Sequence, residues 1–233
     1  MKQLLLLLFA IVTITSCRHT TGSGKLITQT RSSASFDGIT VSGDFDVEVK
    51  IGATTSVLIE ADDNIMKYIE TKNVGSTLKI YTEGLHNYSD VHMKVYITTP
   101  ALKKISASAS ADVTVENVLK NTDRMVFKAS SGSRIGAEVE GPEVNADASS
   151  GATITLNGKT RTFTAQASSG ADIKTWDLLS ENTTVQTSSG ANANVHASVK
   201  LNATASSGGS VTYHGAADAI KSVSSGGSVN KKD

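Results

Sequence analysis

Residues 148–173 read ASSGATITLNGKTRTFTAQASSGADI, so this stretch contains the tripeptide Ser-Ser-Gly near both of its ends. The tripeptide occurs six times in the second half of the chain, and its successive glycines are 19, 19, 20, 18 and 18 residues apart. A repeat of this length is typical of a solenoid, in which each coil packs only on its neighbours. The predicted structural turns are centred on Gly132, Gly151, Gly170, Gly190, Gly208 and Gly226.

Apolar residues keep fixed distances from these glycines. The positions three and five before the glycine and three after it are apolar in every repeat except at Thr187 and Lys221, whereas the position two after it is always polar. The column three after the glycine contains Ile135, Ile154, Ile173, Ala193, Val211 and Val229. This period-two alternation on both sides of the turn predicts two strands per coil, with the apolar side chains inside.

The turns themselves follow from backbone sterics. We expect at least one turn position to have a positive φ angle, which glycine adopts without penalty. Ser108–Val113 is a degraded copy of the repeat and predicts a seventh turn, with Ser110 where the others have glycine. A second bend is expected half a repeat later; the candidates are Gly141-Pro142, Asn157-Gly158, His214-Gly215, Ser180–Asn182 and Ala197-Ser198.

The N-terminus predicts export. A charged start and the apolar run Leu4–Ile14 end at Thr15-Ser16-Cys17, which indicates a lipoprotein signal peptide over residues 1–16 with Cys17 as the lipidated residue. The alternative is an ordinary secretory signal with an incidental cysteine. Residues 17–35 are predicted to be a polar tether to the membrane. Arg18 after the cysteine favours the outer membrane, with the periplasmic or surface-facing orientation left open.

Charge and cysteine content limit the function classes. The chain has a formal charge of +0 and one cysteine, so an intramolecular disulfide is excluded. Removing residues 1–16 takes away one lysine and no acid, which leaves a charge of −1. Such a balance gives no electrostatic reason to expect nucleic acid as a partner.

Residues 36–105 differ from the repeats. They alternate like strands, and the spacing of apolar residues in Asp62–Glu70 predicts one short helix with Asp62, Asp63 or Asn64 as its N-cap. We therefore predict a β-rich cap over 36–105 and β-helix repeats over 106–233.

These features together resemble the head GIN domain family of putative autotransporter adhesins over about residues 36–229. The resemblance rests on the Ser-Ser-Gly turns and on three further stretches: Phe36–Val49, Asp63–Ile80 and Val95–Leu102. It implies an all-β fold, a right-handed parallel β-helix of the pectin-lyase-like, two-sheet type. It also implies an exported or lipid-anchored protein and an adhesin role that is itself inferred from this architecture.

Candidate chemistry is sparse. Asp112 and Asp172 share a column, but they are three coils apart, or ~14 Å, which is too far for a pair of catalytic carboxylates. His86 and His92 supply two of the three ligands that a metal site needs. His196 and His214 occur singly and are expected to be exposed. The aspartate pattern of calcium-binding nonapeptide repeats is missing, and we predict no cofactor, no metal and no catalytic residue.

The sequence thus predicts a non-enzymatic lipoprotein, an adhesin or binding scaffold, that presents flat polar sheet faces to a glycan or protein ligand. The outward residues expected to carry binding include Thr155, Asn194, Thr212, Thr162, Thr164 and Gln166. The alternative is a polysaccharide lyase or hydrolase on the same fold. The last coil ends at Lys231, Lys232 and Asp233 without a cap, so we expect either charged gatekeeping of its edge or a homo-oligomer.

Overall fold

The computed structural model describes residues 18–84 and 86–232, and within them it is all-β. Cys17, the signal peptide and Asp233 lie outside the described residues. The strands are β1 Arg18–Thr21, β2 Leu26–Arg31, β3 Gly38–Ser42, β4 Asp46–Ile51, β5 Ser56–Asp62, β6 Ile69–Val74, β7 Thr77–Thr82, β8 His86–Ser89, β9 Met93–Thr99, β10 Lys104–Ser108, β11 Asp112–Val115, β12 Leu119–Lys120, β13 Arg124–Ala129, β14 Arg134–Ala148, β15 Thr153–Ala167, β16 Asp172–Thr175, β17 Leu178–Thr187, β18 Asn192–His196, β19 Lys200–Ala205, β20 Ser210–His214, β21 Asp218–Val223 and β22 Ser228–Lys231.

The strands stack in parallel into a β-solenoid of about seven turns, which confirms the predicted fold class. Strands that precede each turn form one face, sheet A, which runs through β10, β13, the ends of β14, β15 and β17, and then β19 and β21. Strands that follow each turn form sheet B, which runs through β11, the starts of β14 and β15, and then β16, β18, β20 and β22.

The Ser-Ser-Gly turns join the two sheets. In each of them both the second serine and the glycine have positive φ, as in Ser131 at 53° and Gly132 at 73°. The glycine N–H then donates to the carbonyl of the second serine in the next coil, for example from Gly132 to Ser150 at 3.0 Å. In the first turn Ala109 and Ser110 adopt the same conformation at 54° and 71°, so the predicted seventh turn is present without a glycine.

The inward columns form the core. All the predicted inward residues of the coils before the last one are buried, including Phe127, Ile154 and Val185. The last coil is the exception, because no further coil covers it within the described residues. There Val223 is 51% exposed and Lys221 lies over the ring of Tyr213, with 4.8 Å from Nζ to the ring centroid.

A third, short row of pairings forms the second bend of each coil. It joins β12 to the middle of β14, then to the middle of β15 and to the start of β17. Gly158 and Gly215 supply two of the predicted bends, with φ angles of +108° and +106°. At Gly141-Pro142 the strand β14 instead continues through the bend, and only the pairing at Pro142 is interrupted.

The N-terminal part is not a separate cap. β3 pairs in parallel with β10, and β4 pairs with β11, so the stack continues across the predicted boundary at residues 105 and 106. β7 and β9 then stack on the far side of β3 and β4, although they come later in the chain. The actual end of the solenoid is covered by antiparallel strands, because β6 pairs with β7 and β5 pairs with β9.

The predicted tether, residues 17–35, is also corrected. β1 pairs in parallel with β8, and β2 pairs along its full length with β5. The side chain of Asp62 fixes this arm: it is 2% exposed, and its two oxygens accept from the backbone N–H groups of Gly24 at 2.7 Å and His92 at 2.8 Å. The segment is therefore part of the fold from Arg18 onward.

The short helix is confirmed only as one 3-10 turn, Met66–Tyr68. Its N-cap residue is Ile65, so the predicted caps Asp62, Asp63 and Asn64 lie before the cap position, and no side chain caps the turn. Within the described residues, no helix is long and apolar enough to cross a membrane.

Candidate functional site

A groove of about 1130 Å³ runs along the second bend of the solenoid. We call it the corner groove. It crosses six levels of the stack, from the segment before β10 to the end of β18. Its lining is Ala101, Lys103, Lys120, Asn121, Thr122, Asp123, Glu140, Gly141, Pro142, Lys159, Thr160, Arg161, Leu179, Ser180, Glu181, His196 and Ser198.

The repeat places one row of the groove's side chains in register. Lys120 pairs with Glu140, Glu140 with Lys159, and Lys159 with Leu179. Glu140 Oε2 lies 3.0 Å from Lys120 Nζ, and its Oε1 lies 3.1 Å from Lys159 Nζ. The hydrogen bonds from these two lysines lower the pKa of Glu140, which keeps its carboxylate ionised.

A second row stands two residues after the first along the chain and contains Pro142, Arg161 and Glu181. Arg161 is exposed and has no ion-pair partner within 4 Å among the described residues. Between the two rows, Thr160 and Ser180 are buried, and their hydroxyls are used internally: Thr160 donates to the carbonyl of Thr162. The groove therefore offers its longer charged side chains, and not its buried hydroxyls, to a ligand.

An aromatic cluster lies at the C-terminal end of the groove. The ring of Trp176 stacks on His214 with 4.0 Å between centroids, and His196 meets His214 edge-on at 4.8 Å. His196 also lines the groove, and its Nδ1 is 3.1 Å from the backbone nitrogen of Ser180. Lys232 lies over Trp176 at 5.9 Å from the ring centroid, so this lysine is part of the cluster.

The structure corrects the expectation that His196 and His214 are separate and exposed. Both are half-buried and in contact. Burial, and then the nearby His214, lower the pKa of His196 by disfavouring the imidazolium.

This shift predicts a loss of stability in mild acid. The folded-state pKa of His196 is below its unfolded value of about 6.5, so below that pH the unfolded chain binds more protons. The stability that the neutral His196 contributes to the folded protein is therefore fully present above about pH 6.5 and is lost as the pH falls below it. We expect a lower melting temperature at pH 5.5 than at pH 7.5, and a smaller difference in His196→Asn. An equal difference in the two proteins would contradict the assignment.

Other predicted site residues stay apart. The register confirms that Arg134 and Thr153 separate Asp112 from Asp172. His92 pairs with Glu60 at 2.8 Å, and no group of three metal-ligating side chains occurs within residues 18–84 and 86–232. The turn glycines serve the fold, and Thr155, Asn194 and Thr212 lie in one outward column of sheet B.

Neither the corner groove nor the aromatic cluster was predicted from the sequence. A signal existed for the cluster, because Trp176, His196, His214 and Lys232 all stand six residues after their turn glycines. The groove is harder to find, since the coils differ in length at the second bend. One extra residue before Leu178 shifts Leu179, instead of Leu178, into register with Lys159.

A family model matches most of the chain. Residues 35–217 match the family model described as putative auto-transporter adhesin, head GIN domain. No curated protein matches the chain.

Several solved structures share the architecture. A putative adhesin from Bacteroides fragilis matches with a TM-score of 0.83 at 20% identity, over 91% of this chain and 100% of its own. A putative lipid binding protein from Parabacteroides distasonis has a TM-score of 0.72 at 19% identity, over 93% of this chain and 100% of its own. A putative adhesin from Parabacteroides merdae has a TM-score of 0.73 at 19% identity, with the same coverage. At these identities the likeness shows the fold alone.

Proposed function

Since this chain belongs to the family described as putative auto-transporter adhesin, head GIN domain, we propose that it is a non-enzymatic adhesin of the cell envelope. The observation that carries the proposal is the corner groove, an open surface feature that follows the solenoid across six of its levels. A straight groove on a rigid scaffold suits the binding of an extended molecule better than the turnover of a small one.

The electrostatics of the groove support binding over catalysis. Glycoside hydrolysis needs one carboxyl group that is protonated and can act as an acid. Glu140 is held ionised by Lys120 and Lys159, and Asp123 is paired with Lys103 at 2.7 Å. These pairs leave the carboxylates suited to fixing neighbouring cations and poorly suited to transferring a proton.

We further propose that Cys17 carries a lipid in the outer membrane and that the domain faces outward. β1 begins at Arg18, so the lipid would sit directly beside the folded domain, without a tether. This geometry would hold the N-terminal end of the solenoid near the membrane and leave the later coils farther from it.

Protease treatment of intact cells tests the location. We expect the protein in the outer-membrane fraction and its degradation without permeabilisation, whereas a Cys17→Ser variant should leave the membrane fraction. If the protein is cleaved only after the outer membrane is permeabilised, it faces the periplasm and the adhesin role is wrong.

A further inference from the structure

The corner groove carries more positive than negative charge. Its lining contains four cations, Lys103, Lys120, Lys159 and Arg161, and three acids, Asp123, Glu140 and Glu181, so its formal charge is +1 with His196 neutral. Each lysine of this set is paired with an acid within 4 Å, but Arg161 is not. A guanidinium without a partner offers a planar fork of donors that matches a carboxylate.

The groove also has the shape for a linear ligand. Its charged side chains occupy five successive levels at the coil spacing of ~4.8 Å, which is a length of roughly 19 Å. The row Lys120, Glu140 and Lys159 runs along the stack because these residues are in register. A polymer with regularly spaced groups can therefore contact successive coils in the same way.

The strands under the groove argue against a peptide. β14 is paired on one side with β12 and β13 and on the other with β15, which in turn is paired with β17. An extended peptide gains most from adding a strand to a free sheet edge, and these strands have none. A peptide here would satisfy its backbone only through side chains, whereas a sugar chain is ordinarily recognised through its hydroxyl and acid groups.

Trp176 adds a flat aromatic surface that can contact a sugar ring. It is the one tryptophan of the chain, is half-buried, and is held in place by its stacking on His214 beside the groove residue His196. A tryptophan ring has a flat apolar face and a polar edge. A sugar ring likewise has apolar faces and a polar rim.

We infer that the corner groove binds an acidic polysaccharide, with Arg161 holding a carboxylate of the sugar chain and Trp176 contacting a ring at the groove's C-terminal end. This inference rests on the proposed function and names the class of its ligand. Glu181, the neighbour of Arg161 in the next coil, opposes such a ligand by its charge and so limits the affinity.

Polygalacturonate is the probe, and the fluorescence of Trp176 is the direct reading. We expect binding that weakens with salt, and at least about a tenfold loss of affinity in Arg161→Gln, which removes the bidentate donor. Glu181→Gln should bind more tightly than the wild-type protein. The matched control is Lys174→Gln, an exposed cation of sheet B outside the groove, which should bind like the wild type.

Each other outcome overturns the inference. If Arg161→Gln binds polygalacturonate as tightly as the wild type, the groove is not the binding site. If Lys174→Gln loses affinity, the ligand binds on the flat face of sheet B. Polyglutamate binding as tightly as polygalacturonate would make the ligand an acidic peptide, and dextran binding equally would remove the role of charge. No binding to polygalacturonate also rejects the inference. Protease treatment of intact cells tests surface exposure and does not depend on any of these binding results. The adhesin proposal and the proposed ligand class can therefore be rejected separately.

Discussion

Gly158→Ala is expected to cost about 4 kcal/mol or more of stability, enough to unfold the coil around it. A Cβ atom at this position would lie 2.1 Å from the carbonyl oxygen of Val139 in the preceding coil. The φ angle of +108° is also one that residues with a side chain rarely adopt. Val139, Gly158 and Leu178 are consecutive rungs of the ladder, so a shift of this backbone disturbs the pairing on both sides.

Gly170→Ala is the matched control. Gly170 has a φ of +69°, but a Cβ atom there would meet nothing within 4 Å. Its substitution should therefore cost only the backbone strain, about 1 to 2 kcal/mol. Thermal and denaturant unfolding of the two variants gives the comparison. Equal losses would mean that close packing between coils does not govern the second bend.

Asp62→Ala is expected to cost about 2 to 5 kcal/mol, and the loss should be confined to the N-terminal arm. The change removes the carboxylate that accepts from the N–H groups of Gly24 and His92 in two part-buried hydrogen bonds, and a hydrogen bond to a charged group is worth about 1.5 to 3 kcal/mol. β1 and β2 contact the rest of the chain mainly through strand pairing, so hydrogen exchange should rise first in these two strands.

Asp63→Ala controls for the loss of an acid at the same place. Asp63 bonds to the hydroxyl of Ser23 at 2.7 Å and to Lys25 at 3.2 Å, but it lies at the surface, where water can replace these partners. Its exchange pattern should stay close to that of the wild type. If Asp62→Ala does not speed exchange in β1 and β2, another contact holds the arm.

The repeats could be predicted because the local sequence of each coil contains its own turn and its own pattern of apolar residues. The spacing of Gly132, Gly151 and Gly170 gave the turns, and the apolar columns beside them gave the inner faces. Even the turn at Ser110 was visible, because the residues around it keep the pattern. Serine can take the place of glycine there because Ser110 adopts the φ that the turn requires, and a Cβ atom at the equivalent turn glycines would meet nothing within 4 Å.

The N-terminal part could not be predicted in the same way. β3 and β4 lie between strands that follow them in the chain, and no local pattern encodes that insertion. Ser23 and Gly24 indicate a linker by composition, yet the buried carboxylate of Asp62 orders this segment from a distance. Composition alone does not show such a long-range partner.

The candidate site was hidden for a related reason. It lies at the second bend, where coil lengths vary, and its charged residues look in sequence like an ordinary solvated surface. Their register became clear only when the structure placed Lys120, Glu140 and Lys159 side by side. Arg161 then stands out because, among the described residues, it lacks the ion pair that each lysine of the groove has.

A crystal structure with a short oligogalacturonate would show directly whether the binding surface is the corner groove. We expect a sugar chain along the groove, with one carboxylate within hydrogen-bond distance of Arg161 and a ring near Trp176. A chain bound instead over Thr155, Asn194 and Thr212 on the face of sheet B, or along the Ser-Ser-Gly turns, would contradict it.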